Sequence, residues 1–136
     1  MGVPSPAHMV AEYGSPEAWQ HATTDRWIAH LVANPEGSRI AVLEGQIRPT
    51  EARAAFARFN VSRGHVLLID CDHEPRNARL RGERNQADLA TPRMAAWAAY
   101  LRGQADALEL PIFDTTSLTR QQAEQGFIER IRAWIV

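Results

Sequence analysis

The chain has 136 residues, of which 45% are hydrophobic and 23% are charged, and its formal net charge is -1. This length and composition are typical of one globular domain, residues 1–136, with a modest core. The near-zero charge gives no basic field that would attract nucleic acid, and no apolar run approaches the roughly 18 residues of a membrane-spanning helix. The single Cys71 excludes an internal disulfide and fits a reducing cytoplasm.

Lysine is absent from the sequence, so all 15 basic residues are arginine. A mechanism that relies on a lysine ammonium group is therefore excluded within this chain. Arginine remains available for phosphate, which its planar guanidinium binds through two parallel hydrogen bonds.

Ser15 and Pro16 predict the start of the first long helix, because serine caps helix N-termini and proline favours the first helical position. We expect this helix to reach about Ala33, where residues 34–37 (Asn-Pro-Glu-Gly) stop it. Similar start signals precede two later helices, at Thr91-Pro92 and at Thr119 with Gln122.

A short apolar run at residues 40–43 (Ile-Ala-Val-Leu) has the length and composition of a buried parallel strand. It ends in Glu44 and Gly45, and Arg48 follows just before the proline that begins the next helix. Ligands of open α/β sheets bind beyond the carboxyl ends of the strands. An acid, a flexible backbone and an arginine at such a point predict a site for a metal-bound phosphate. The alternative is a strand that stops at a polar turn.

A second apolar run, residues 65–70 (His-Val-Leu-Leu-Ile-Asp), predicts another strand that is covered on both faces. The helix predicted after it begins at Asp72 or His73. Four arginines lie in or just after that helix: Arg76, Arg79, Arg81 and Arg84. This positive patch is either a solvated helix face or a phosphate-binding surface.

Residues 111–115 (Pro-Ile-Phe-Asp-Thr) predict a third short strand, in which Asp114 again places an acid near the end. Helices and strands thus alternate along the chain, which indicates right-handed crossovers and a parallel sheet. The predicted fold class is α/β, a three-layer α/β/α arrangement with a short parallel sheet.

Three segments, in this order, resemble the adenylate-kinase-like nucleoside monophosphate kinases. Residues 42–50 resemble the segment that ends the family's third strand, residues 68–84 resemble the strand and helix that lead into its lid, and residues 110–116 resemble its last strand. Similar arrangements occur in small P-loop kinases of the gluconate- and shikimate-kinase type, among the AAA-type ATP-binding proteins. The resemblance covers roughly residues 38–136. It implies a P-loop NTPase kinase-like fold with an arginine-rich, lid-like segment at about residues 76–93.

The resemblance also implies ATP and Mg²⁺ as cofactors and a nucleotide or small metabolite as phosphoryl acceptor. By this resemblance, Glu44 would orient the water shell of Mg²⁺, and Gly45 and Arg48 would contact the acceptor. Asp114, Thr115 and Thr116 would lie near the base of ATP. The catalytic lid arginines would be Arg79 and Arg84, with Arg76 or Arg81 as substitutes. Lid arginines stabilise charge on the transferring phosphoryl group. Arg48 stands after the glycine and before the proline, which reverses the family order.

One element of the family is missing from the sequence. P-loop kinases need Gly-x-x-x-x-Gly-Lys-Ser/Thr after their first strand to cradle the phosphates, and this chain has neither that glycine spacing nor a lysine. We therefore expect an N-terminally truncated kinase that lacks the first strand or strands and transfers no phosphate by itself. Two alternatives stay open: a nucleotide-binding module without catalysis, and a homodimer that completes the sheet. No nucleic-acid or membrane partner is expected.

Overall fold

A computed structural model of the chain describes residues 4–34 and 40–135. They belong to two compact units, Met1–Gly64 (unit 1) and His65–Val136 (unit 2). The fold is mixed α/β and mostly helical, with one small parallel sheet among the described residues. Within these ranges, no helix combines the length and the apolar character needed to cross a membrane. Of the helix stop predicted at residues 34–37, residues 35–37 lie outside the described residues, and Asn34 is the C-cap of the helix that ends at Ala33.

Three helices form the described part of unit 1: α1 (Pro6–Tyr13), α2 (Pro16–Ala33) and α3 (Pro49–Arg58). The Oγ of Ser15 accepts the main-chain N–H of Ala18 at 3.0 Å, which confirms the predicted start of α2. Helix α1 ends at Gly14, whose φ of +84° lies in the left-handed region that favours glycine.

Polar contacts join α2 to α3. Arg58 on α3 donates hydrogen bonds of 3.2 and 2.5 Å to Oδ1 of Asp25 on α2. Nδ1 of His21 contacts Oε2 of Glu51, and Nε2 of His21 lies 3.6 Å from Oδ2 of Asp25. Charged side chains therefore contribute to the packing of these two helices.

The prediction of a strand at residues 40–43 is wrong. These residues form no strand, and Ile40 and Val42 are 43% and 61% exposed. A buried parallel strand needs hydrogen-bonded neighbours at its edges and cover on its faces. The described part of unit 1 contains no strand with which this segment could pair. Its apolar composition alone is therefore not enough to make it a strand.

The described part of unit 2 contains two strands and three α-helices, in chain order β1 (Leu68–Asp70), α4 (His73–Arg81), α5 (Pro92–Ala107), β2 (Ile112–Asp114) and α6 (Arg120–Ile135). A 3₁₀ helix, Ala87–Leu89, precedes α5. The two strands are parallel, with Leu68, Ile69 and Asp70 beside Ile112, Phe113 and Asp114. Both strands lie where the sequence predicts them, but each is shorter than the predicted run.

Residues of two helices contact the two faces of this sheet. Phe113 is 4% exposed, and the Arg130 guanidinium of α6 lies 4.0 Å from the centre of its ring. Asp70 follows Ile69, the neighbour of Phe113, and therefore points to the opposite face, because side chains alternate along a strand. There it pairs with Arg102 of α5. Ile69 lies beside Phe113 but is 52% exposed, so the prediction that this strand is covered on both faces is wrong. Side chains of α5 and α6 contact opposite faces of the two-stranded parallel sheet.

Candidate functional site

The two strands of unit 2 end side by side in acidic residues. Asp70 ends β1 and lies beside Asp114, which ends β2. Beyond β1 lies a cleft with a volume of about 360 Å³, to which α4 and α5 both contribute. We call it the β1 cleft. Its lining residues are Asp70, Cys71, Asp72, His73 and Arg76, together with Ala95, Ala98, Ala99 and Arg102 of α5.

Hydrogen bonds tie the segment after β1 to the segment after β2. The main-chain N–H and the hydroxyl of Thr115 both donate to the carbonyl of Asp70 at 2.9 Å. The N–H of Asp72 donates to Oγ1 of Thr116 at 2.9 Å. Asp114 accepts the Thr116 N–H at 2.8 Å, and the hydrogen bonds from Thr116 hold the pKa of Asp114 below its ordinary value. The three predicted cofactor-binding residues thus reach the carboxyl edge of the sheet, where they make hydrogen bonds within the protein.

Arg79, a predicted catalytic residue, lies against the loop that follows β2. Its Nη2 donates to the carbonyl oxygens of Thr115, Thr116 and Leu118 at 2.8, 3.3 and 3.0 Å. Its Nη1 lies 3.3 Å from both Cys71 Sγ and Thr115 Oγ1. The guanidinium therefore holds this loop in place, and Arg79 does not belong to the lining of the β1 cleft.

Of the other predicted catalytic arginines, Arg76 lines the β1 cleft and Arg84 does not. Nη1 of Arg76 donates to the carbonyl of Cys71 at 3.1 Å, and its Nη2 lies 3.4 Å from Nδ1 of His73. Arg84 is exposed, and its main-chain N–H donates to the carbonyl of Arg79. The structure thus brings Arg76 to the end of β1 and leaves Arg84 outside the cleft.

Arg102, to which the sequence pattern assigns no role, is the second arginine in the lining of the β1 cleft. Its Nη1 donates to Oδ2 of Asp70 at 2.6 Å, and this hydrogen bond raises the pKa of Arg102 above its ordinary value. Oδ1 of Asp70 in turn accepts the Cys71 N–H at 2.8 Å. A sequence signal existed, since Arg102 interrupts the apolar character of α5 directly after Leu101. The partner of Arg102 could not be read from that signal.

The lining of the β1 cleft combines opposite charges with an apolar wall of alanines. Arg76 and Arg102 are cationic, whereas Asp70 and Asp72 are acidic. Asp72 occupies the N-cap position of α4 without a side-chain cap hydrogen bond, and it is exposed. The lining therefore offers both cationic and anionic partners to a small polar ligand.

The predicted residues of the first motif lie in unit 1. The side chain of Arg48 is 17% exposed, and its Nη2 donates to Oε1 of Glu17 at 3.2 Å. A main-chain hydrogen bond and then Arg48 hold the pKa of Glu17 below its ordinary value. Glu44 is exposed. A Cβ at Gly45 would lie 3.7 Å from Ile47, an ordinary contact, so no close approach requires glycine there.

Among the described residues, no three His, Cys, Asp or Glu side chains are grouped so that they could hold a metal ion. This finding concerns direct ligands. Glu44 is predicted to act on Mg²⁺ through water, which is a different arrangement.

No protein-family model, curated protein sequence or solved structure matches this chain. The kinase resemblance of its three motifs therefore stays a prediction.

Proposed function

We propose that the β1 cleft binds the phosphate group of a small phosphorylated ligand, and that the chain is a P-loop kinase-like protein of the three-layer α/β/α type. The observation that carries this proposal is the position of the cleft at the carboxyl end of a parallel strand, with Arg76 and Arg102 in its lining. Parallel α/β sheets bind their ligands at this edge. The planar fork of the arginine guanidinium matches the oxygens of a phosphate group.

Arg76 is the residue to which we assign the first contact with phosphate. It contacts a main-chain carbonyl and the imidazole of His73, neither of which is negatively charged. These two partners do not neutralise its positive charge, whereas Arg102 is paired with Asp70. An anion that enters the cleft gains a charge-assisted hydrogen bond from Arg76.

The cleft has a volume of about 360 Å³, near the lower end of the range of about 300 to 1,000 Å³ that is usual for small-molecule sites. A mononucleotide or a small phosphorylated metabolite matches this volume. The alanines of α5 offer an apolar surface to the part of the ligand that carries no charge.

Binding in this chain is proposed to occur without phosphoryl transfer. P-loop kinases hold the phosphates of ATP with a lysine, and the sequence contains none. The roles of ATP and Mg²⁺ as cofactors, and of a nucleotide or small metabolite as acceptor, rest on the resemblance of the three motifs.

The experiment is a calorimetric titration of the 136-residue chain with inorganic pyrophosphate, ADP and adenosine at low ionic strength. We expect pyrophosphate and ADP to bind and adenosine to bind far more weakly, because the phosphates supply the charge. Arg76→Gln should raise both dissociation constants about tenfold, the loss of one charge-assisted hydrogen bond. Arg81→Gln is the matched control, since Arg81 is exposed on the same helix and outside the cleft lining. Equal binding by the Arg76→Gln variant and the wild type would contradict the proposal.

A second candidate function, assembly of two copies through the sheet, is favoured by the exposure of β1. Ile69 is 52% exposed on a strand that has one neighbour among the described residues. A strand with an unpaired edge and an exposed apolar side chain promotes strand-to-strand association. If two copies assemble through the sheet, sedimentation equilibrium should show an apparent molecular mass that rises with protein concentration. The Ile69→Lys variant should have the mass of one chain. A constant monomer mass for the wild type would exclude this candidate.

A further inference from the structure

Asp70 and Arg102 form a close ion pair in the β1 cleft, and the two partners are not held equally. The side chain of Asp70 is 16% exposed, and its Oδ1 accepts the Cys71 N–H at 2.8 Å. The side chain of Arg102 is 43% exposed. A second acidic neighbour, Asp106, lies 3.9 Å from Nε, which is beyond hydrogen-bonding distance, and Asp114 also acts on the Arg102 charge. Asp70 is therefore the fixed partner, and the orientation of the Arg102 guanidinium depends on it.

This contact engages one side of the guanidinium. Nη1 of Arg102 donates to Oδ2 of Asp70, whereas an arginine carries its N–H donors in a rigid planar fork. A hydrogen bond at one position restricts the orientations in which the fork presents its remaining donors. Because Arg102 lines the cleft, this order reduces the conformational entropy that an arriving anion would otherwise have to remove.

We infer that Asp70 is a positioning residue, which holds Arg102 so that its remaining N–H donors bind the same phosphate group as Arg76. This inference rests on the proposed function and deepens it. Asp70 itself makes no contact with the ligand and acts through Arg102. If Asp70 instead competed with the ligand for Arg102, removal of its charge would strengthen binding.

The test is a double-mutant cycle on the full chain, with inorganic pyrophosphate as the probe. Asp70→Asn keeps an oxygen for the Cys71 N–H and removes the charge that holds Arg102. We expect it to raise the dissociation constant about tenfold in the wild-type background. In the Arg102→Gln background, Asp70→Asn should change the dissociation constant for pyrophosphate by less than about twofold, because no guanidinium is left to position. Asp106→Asn is the matched control and should leave the constant unchanged.

The Nε–Hε NMR signal of Arg102 provides a readout that a purely structural role would not move. In the wild type this signal should shift when pyrophosphate is added, and its heteronuclear NOE should report an ordered side chain. Asp70→Asn should remove both the order and most of the shift.

The outcomes distinguish this inference from the proposed function. Wild-type chain that fails to bind pyrophosphate overturns the proposed function and the role of Asp70 with it. If the wild type binds, the inference alone is overturned in either of two cases. The first is that Asp70→Asn binds as tightly as the wild type or more tightly, and the second is that its loss is the same in both backgrounds.

Discussion

The guanidinium of Arg79 reaches three carbonyl oxygens of the loop between β2 and α6. An arginine can do this because its donors spread over a plane, whereas a lysine ammonium group is a single point charge. The same guanidinium lies near the thiol of Cys71, at the end of β1. Arg79 thus stabilises the carboxyl edge of the sheet, beside the β1 cleft.

Replacement of Arg79 by alanine should lower the free energy of unfolding by about 2 to 3 kcal/mol, the usual loss for hydrogen bonds to a charged group. Urea denaturation followed by circular dichroism measures this change. Arg81→Ala, on the exposed side of the same helix, is the control and should stay within about 0.5 kcal/mol of the wild type. Equal stability of the two variants would show that Arg79 does not hold the loop.

Two glycines should respond to the same substitution with opposite signs. A Cβ at Gly64 would lie 2.6 Å from the ring of Phe56, so Gly64→Ala should destabilise the chain by about 1 to 3 kcal/mol. A Cβ at Gly103, inside α5, would meet no atom within 4 Å, so Gly103→Ala should stabilise the chain by about 0.5 to 1 kcal/mol. Thermal unfolding of both variants compares the two effects, and a stable Gly64→Ala variant would contradict the close approach of Phe56.

At the scale of elements, helix starts follow from short stretches of sequence. Thr91 Oγ1 accepts the Met94 N–H at 3.2 Å at the predicted start of α5. Thr119 and Gln122 exchange the two hydrogen bonds of the predicted capping box, of 2.9 and 3.3 Å. Each of these bonds joins residues three positions apart, so the local sequence contains both partners.

Strands follow less reliably from the sequence, because a strand exists only through a partner that lies elsewhere in the chain. The runs at 65–70 and 111–115 pair with each other and form β1 and β2. The run at 40–43 has a similar apolar composition but no strand partner in the described part of its unit. Composition therefore predicted the candidates, and pairing decided among them.

The turn after β2 should make the stability of the chain depend on pH. The hydrogen bonds from Thr116 lower the pKa of Asp114 below its ordinary value of 3.8. A group with a depressed pKa in the folded state stabilises the protein above its unfolded pKa, and this contribution is lost as the pH falls through the folded pKa. Asp114→Asn should therefore be less stable than the wild type at neutral pH, and the difference should shrink as the pH falls below about 4.

Urea unfolding of the wild type and of the Asp114→Asn variant at a series of pH values measures this difference. Asp106→Asn is the matched control, because it makes the same substitution at an exposed aspartate of the same unit. A stability difference between wild type and Asp114→Asn that stays constant down to the lowest pH would contradict the prediction.

At the scale of the whole molecule, the predicted site residues are divided between two compact units. Glu44, Gly45 and Arg48 belong to unit 1, whereas the predicted lid and cofactor residues belong to unit 2. Within unit 2, Arg76 reaches the β1 cleft and Arg79 holds a loop. The arginine-rich segment thus contains members with different roles.

The chain of 136 residues should transfer no phosphoryl group from ATP, because it offers no lysine to the β- and γ-phosphates. Incubation with radiolabelled ATP, Mg²⁺ and a panel of nucleoside monophosphates and sugar acids tests this expectation. A labelled product above background would contradict it if the product also disappears in the Arg76→Gln variant. That control separates activity of the chain from a contaminating kinase.

The sequence by itself determined the helix starts at Ser15, Thr91 and Thr119, the places of two parallel strands, and the exclusive use of arginine as the basic residue. Only the tertiary structure decided which arginines line the β1 cleft, and only it paired Asp70 with Arg102, 32 positions away. The physical reason is the range of the interactions. A helix cap joins residues within one turn, whereas a strand pair or a cleft joins residues that packing alone brings together.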